Sequence, residues 1–224
     1  MNKPEITELL LTPNKYSRPG LPLKKITGVV VHYVGNAGSS AAANRNYFES
    51  LGKSGARYAS SHYIIGLYGE IIRCVPEAEI AYASNSRNAD TISIECCHPT
   101  TTGEFNPQTY EALIGILADI CRRYNLNPAV DIIRHYDITK KLCPLYYVNY
   151  PSEWARLKAD AAAALVQERV TIEINGRQTK ISAVYEAGRY TAGVRDVLEA
   201  CGFRVTWRER DRAIEITSVP NEQW

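Results

Sequence analysis

The sequence predicts an α/β protein that ends in a small ββαββ unit. Three observations carry this reading. Residues 26–34 form an apolar run rich in β-branched side chains, as in a strand buried on both faces. Further strand-like runs alternate with stretches of helical period, the longest of them after Asn106-Pro107. Beyond Gln167 the pattern changes to short alternating strands around one helix. The chain has 224 residues and 45% hydrophobic side chains, enough for a substantial core. A domain division at 1–166 and 167–224 follows, with an Ala-rich helix as the boundary.

The elements are read in order as follows. Residues 1–25 carry Pro4, Pro13, Pro19, Gly20 and Pro22, so they form an arm with at most a short helix over 5–11. After the strand at 26–34, Ser39 or Ser40 caps a helix over 41–51. Residues 60–67 and 70–75 pair as strands around Tyr68-Gly69. Residues 77–90 are irregular, and 91–97 form another strand. A helix runs from Pro107 to about Tyr124, with Leu113, Ile114, Leu117 and Ile120 on its apolar face. A short strand over 130–134 delivers His135, a loop carries the chain to Pro144, and a last helix starts at Pro151. In the tail, 170–174 and 178–182 flank an Asn175-Gly176 hairpin turn. A helix over 192–200 and a strand pair, 203–207 with 213–217, complete the unit.

Composition excludes several functions. A net charge of +2 gives no reason to expect a nucleic-acid partner. No apolar run approaches the roughly 20 residues of a membrane span. The first residues lack a charged segment followed by an apolar one, so the chain is expected to be made in the cytoplasm without a signal peptide. The six cysteines contain no Cys-x-x-Cys pair. Cys74, Cys96, Cys121 and Cys201 lie in apolar patterns and are expected in the core. Cys143 lies in the loop before Pro144.

The chemistry concentrates in three segments. His32 leaves the end of the first strand. Glu95 interrupts the apolar strand Ile92-Ser93-Ile94-Glu95-Cys96, where a carboxylate is costly without a partner or a task. His135, Lys141 and Cys143 share one short segment. Zinc hydrolases use three protein ligands and keep one position open, and imidazole and thiolate suit that metal. His32, His135 and Cys143 supply such a set. Glu95 would serve as general base, or would form a structural ion pair. Lys141 would face the oxyanion of a tetrahedral intermediate. His62 is expected to pack or hydrogen-bond beneath the site, and His98 is a further candidate ligand. A cysteine nucleophile, Cys143 with His135 as base, is the competing chemistry.

His32 in Val-Val-Val-His, Glu95 in Ile-Ser-Ile-Glu, and His135 through Lys141 to Cys143-Pro144 resemble the zinc-dependent N-acetylmuramoyl-L-alanine amidases of the type-2 family. That family includes phage endolysins, the T7 lysozyme and the peptidoglycan recognition proteins. The resemblance covers about residues 24–160. It implies a central mixed β-sheet flanked by helices, a groove for glycan and stem peptide, and hydrolysis of the amide between the lactyl group of muramic acid and L-alanine. It also implies that His32, His135 and Cys143 hold Zn2+, that Glu95 is the catalytic glutamate, and that Lys141 lies near the scissile carbonyl. Where some relatives carry a catalytic tyrosine before the histidine of the second strand, this chain has Ser61, which shifts weight to Glu95. The implied partner is bacterial peptidoglycan, reached after holin-type release or lysis. The competing class is a non-catalytic peptidoglycan-binding module of the same fold. The tail resembles, more loosely, a stalk-like repeat of bacterial surface proteins, suited to wall binding or to pairing two chains as a homodimer. Tyr185, Tyr190 and Trp207 are its candidate sugar-stacking residues, with core packing the favoured alternative for Trp207.

Overall fold

A computed structural model describes residues 4–174, 177–186, 189–208 and 213–218. The chain divides into two compact units, Lys3–Leu165 and a smaller one over Val166–Trp224. The larger unit contains strands β1 (Ile6–Glu8), β2 (Gly28–Tyr33), β3 (Tyr63–Ile65), β4 (Ile71–Arg73), β5 (Thr91–Cys96) and β6 (Ile132–Arg134). Its helices are α1 (Ala41–Ser54), α2 (Pro107–Tyr124), α3 (Pro128–Asp131), α4 (His135–Thr139), α5 (Leu145–Asn149) and α6 (Pro151–Val166). The six strands form one sheet in the order β1-β4-β3-β5-β2-β6. It is mixed: β3, β5, β2 and β6 run parallel, and β4 is antiparallel to β3.

The apolar runs explain this layering. Val29, Val30 and Val31 are completely buried, as a parallel strand covered on both faces requires. Val29, Val31, Ile92, Ile94 and Ile65 pack with the apolar faces of α2 and α6. Ile64 and Ile72 pack on the other face with Phe48 and Leu51 of α1. The caps are local and readable in sequence. Ser40 accepts from the Ala43 N–H, and Gly55 ends α1 in the left-handed region. Asn106 accepts from the Thr109 N–H, Pro107 begins α2, and Asn125 ends it at φ 53°.

Three segments differ from the sequence reading. Where a short helix was expected near residues 5–11, Ile6–Glu8 is an edge strand parallel to β4; its partner lies over sixty residues away, so no local signal marks it. The expected strand over 130–134 begins as helix α3, because Asn127 caps the Ala129 N–H and Pro128 occupies the first turn. The expected loop after Arg134 opens with α4, stabilised by Asp137 accepting from the Arg134 N–H.

The smaller unit has a three-stranded antiparallel sheet, β7 (Gln167–Ile174), β8 (Arg177–Glu186) and β9 (Arg189–Ala192). Helix α7 (Val194–Ala200) and an antiparallel pair, β10 (Phe203–Arg208) with β11 (Ala213–Ser218), follow. Strand β9 is an addition to the expected ββαββ order. The Asn175-Gly176 turn and the side chains of Tyr185, Tyr190 and Trp207 lie outside the described residues. Cys201, expected in the core, is only half-buried. No helix among the described residues is long and apolar enough to cross a membrane.

Candidate metal centre

Ligands in open α/β sheets gather beyond the carboxyl ends of parallel strands. Here β5, β2 and β6 lie side by side. β2 carries His32 in register with Glu95 of β5, and β6 runs directly into His135. Cys143 comes from the return after α4. Lys140 ends that helix in the left-handed region at φ 65°, its N–H on the Tyr136 carbonyl. The Tyr136 N–H then donates to the Cys143 carbonyl at 2.9 Å, and the Cys143 N–H to the Lys141 carbonyl at 2.7 Å. The chain is thereby folded back toward the His32 ring.

His32, His135 and Cys143 each offer a ligand atom, and these atoms lie within 4.8 Å of one another, all on buried residues. Cys143 Sγ is 3.8 Å from His32 Nδ1. Burial holds the His32 imidazole well below its ordinary pKa, and His135 and Lys141 add to the effect. Burial and then Lys141 lower His135 as well. Both rings are therefore neutral and carry a lone pair, the form that binds a cation. Burial and the Glu95 charge push the Cys143 thiol up to about 12. A free thiolate nucleophile is disfavoured there, whereas coordination to a cation deprotonates a thiol outright.

Glu95 and Lys141 share a cleft of about 390 Å³ with the three donors. Burial lifts the Glu95 carboxyl to about 8 against the pull of Lys141. Its Oε2 is shielded from solvent without a hydrogen-bond partner among the described residues. Two neutral imidazoles, one sulfur and a carboxyl group with one unpartnered oxygen opening on one cleft fit a zinc ion and a polar reactant. The remaining wall includes Arg57, Tyr58, Tyr82, Asn85 and Asn88.

The other two histidines lie outside the cluster. His62 accepts from the Ser93 N–H at Nδ1 (3.0 Å), and its Nε2 is 2.9 Å from the Glu79 carbonyl. His98, a candidate ligand from sequence, has both ring nitrogens on backbone carbonyls, those of Val34 and Thr100, at 2.7 and 2.6 Å. Neither nitrogen is available to a metal. Ser61 is fully buried, its hydroxyl donating to the Tyr63 carbonyl. Sequence reasoning missed the segment at 82–88, which supplies part of the cleft wall. The density of Asn and Ser there, residues that bond their own backbone and tolerate left-handed conformations, was the available signal.

Fold and donor set together define a mixed-sheet α/β protein with a cluster of His/His/Cys donors at the carboxyl ends of its central strands. Residues 22–145, more than half the chain, match the family profile described as N-acetylmuramoyl-L-alanine amidase, and the chain belongs to that family. It is 32% identical over 171 residues to the N-acetylmuramoyl-L-alanine amidase CwlL of Bacillus licheniformis, covering 70% of this chain and 47% of the relative. Against the N-acetylmuramoyl-L-alanine amidase BlyA of Bacillus subtilis strain 168 it is 30% identical over 185 residues, covering 74% and 49%. The chain thus spans about half the length of these relatives. The solved structure of PlyL shares the fold, with a TM-score of 0.60 at 21% identity over 70% of this chain and 96% of PlyL.

Proposed function

We propose that the chain hydrolyses the amide bond between N-acetylmuramic acid and L-alanine in bacterial peptidoglycan, with Zn2+ held by His32, His135 and Cys143. One observation carries this reading. The Glu95 carboxyl, with Oε2 shielded and without a hydrogen-bond partner among the described residues, and a lysine, Lys141, open on the same cleft as a three-donor cluster. The names of the relatives supply the substrate class.

Zinc, when bound, supplies Lewis acidity at the scissile carbonyl and toward the attacking water. The residues of the chain do the rest. Glu95 takes a proton from the water as its oxygen adds to the carbonyl carbon. Burial raises the Glu95 carboxyl above the ordinary carboxylate range, which strengthens it as a base toward the water proton. The Lys141 ammonium offsets the charge on the tetrahedral oxygen. Glu95 then delivers the proton to the amide nitrogen as the C–N bond breaks, and L-alanine leaves as an amine.

Digestion of defined muropeptides, with mass spectrometry of the products, tests the reading. The wild type is expected to release the intact stem peptide with L-alanine at its amino end. Glu95→Gln is expected to keep one zinc per chain and lose about 100-fold or more in kcat. Cys143→Ser is expected to lose zinc by elemental analysis. Cleavage at another bond, or full activity in Glu95→Gln, would overturn the assignment.

A further inference from the structure

One turn touches both histidines of the cluster. His135 Nε2 lies 3.0 Å from Asn85 Oδ1. His32 Nε2 lies 3.4 Å from Ser84 Oγ. A histidine that binds a cation through one nitrogen carries its proton on the other, and whatever accepts that proton sets the tautomer and the ring orientation. His32 turns Nδ1 toward Cys143 Sγ, leaving its Nε2–H for Ser84. His135 has Nε2 on Asn85, which leaves Nδ1 for a metal. Two consecutive side chains thus face the same ring nitrogen of two imidazoles, one on strand β2 and one at the start of helix α4.

The turn is held independently of the cluster. Asn88 Oδ1 accepts from the Ala83 N–H at 3.1 Å and the Ser84 N–H at 2.6 Å. The Arg87 N–H donates to the Ser84 carbonyl at 2.9 Å. Ser84 is 1% exposed. Asn85 stands at φ 50°, a left-handed conformation that few residues other than glycine, asparagine and aspartate adopt. Such a conformation persists where the surroundings fix it, and it concentrates at functional sites.

We infer that Ser84 and Asn85 are positioning residues for a divalent metal on His32, His135 and Cys143, with Asn85 the stronger of the two. They act through the rings: by accepting the Nε2 protons they hold each imidazole with its Nδ1 lone pair turned to the metal. This rests on the zinc reading proposed above, and its test keeps the two apart.

Asn85→Gly removes the amide while suiting the left-handed backbone, so it adds no strain. Zinc affinity is measured by competition with a chromophoric chelator, alongside thermal unfolding of the metal-free protein. Asn85→Gly is expected to bind zinc about 10–100-fold more weakly with an unchanged metal-free melting temperature. Asn85→Asp keeps an acceptor on Nε2 and is expected to restore most of the affinity. Ser84→Ala, a second variant that removes only a hydroxyl, is expected to weaken binding less, in keeping with its longer contact. Wild-type zinc affinity retained in Asn85→Gly would overturn the positioning role and leave the metal centre standing. Equal losses in Asn85→Gly and Asn85→Asp would also overturn it, since the loss would then not follow the acceptor. A wild type that takes up no zinc would remove the centre and the inference with it.

Discussion

His62 is buried with both ring nitrogens committed, Nδ1 accepting from the Ser93 N–H and Nε2–H donating to the Glu79 carbonyl. Charging it would place a proton on Nδ1 against that N–H, and burial holds its pKa near 4 instead of 6.5. A group whose folded pKa is depressed adds stability above its unfolded value and loses it as pH falls through the folded one. Stability from His62 is therefore full above about pH 6.5 and lost by about pH 4. In melts of the metal-free protein, His62→Gln is expected to be less stable at pH 7.5 and to lose less between pH 6.5 and 4.5 than the wild type. Parallel curves would show that His62 does not titrate with unfolding. His32 and His135 titrate in both proteins, so the difference isolates His62. The residue types of the candidate site were legible in sequence, because a carboxylate among Ile92, Ile94 and Cys96 and a His-x7-Cys spacing are unusual on physical grounds. Their meeting was expected from the resemblance and not from any local pattern, since it depends on β5, β2 and β6 being neighbours. The contacts of Ser84 and Asn85 were not legible, since they depend on where the one-turn 3-10 helix Asn85–Arg87 falls in space.

At the scale of elements, Glu77 ties the segment after β4 to β3 and α2. Its carboxylate accepts from the hydroxyls of Tyr63 and Tyr124, both at 2.7 Å, and from the Arg123 guanidinium at 2.6 and 2.8 Å. Burial alone would raise its pKa, but Arg123 and the two tyrosines outweigh it and bring the carboxyl down to about 2. Stability from this cluster is present above about pH 4.5 and lost as pH falls toward 2. Arg123 is 35% exposed at its side chain, so solvent screening discounts the ion pair. Glu77→Gln is expected to lower stability at pH 7 by on the order of 2 kcal/mol in denaturant titrations, and to soften the acid transition below pH 4.5. A loss that is the same at pH 7 and pH 3 would point to packing instead of charge. Elements with local signals were legible: α1 and α2 announce their caps, and β2 its two-sided burial. Edge strand β1 was not, because three residues carry too little pattern without the partner strand. Helices α3 and α4, of four and five residues, fall below the length at which periodicity speaks.

At the scale of the molecule, the unit over Lys3–Leu165 carries its own apolar clusters and all the candidate site residues. Its two apolar clusters are built within it, from Leu11 to Ala164, and each candidate site residue falls inside the matched span 22–145. A unit of roughly 160 residues is large enough to fold on its own core. We therefore propose that the boundary near residue 166 separates a catalytic domain from an accessory one that binds the wall or pairs two chains. A chain ended after Val166 is expected to unfold in one cooperative step. Its midpoint should lie within about 4 °C of that of the same unit in the full chain, equivalent to about 1 kcal/mol at this size. On soluble muropeptides its kcat/KM should match the full chain, because the candidate ligands, Glu95 and Lys141 all remain. On intact cell walls the full chain should act faster if the tail binds them, and sedimentation of full and shortened chains would reveal pairing instead. Loss of muropeptide cleavage with an unchanged melt would place part of the active site in the tail. Loss of the cooperative transition would mean that the two units share one fold.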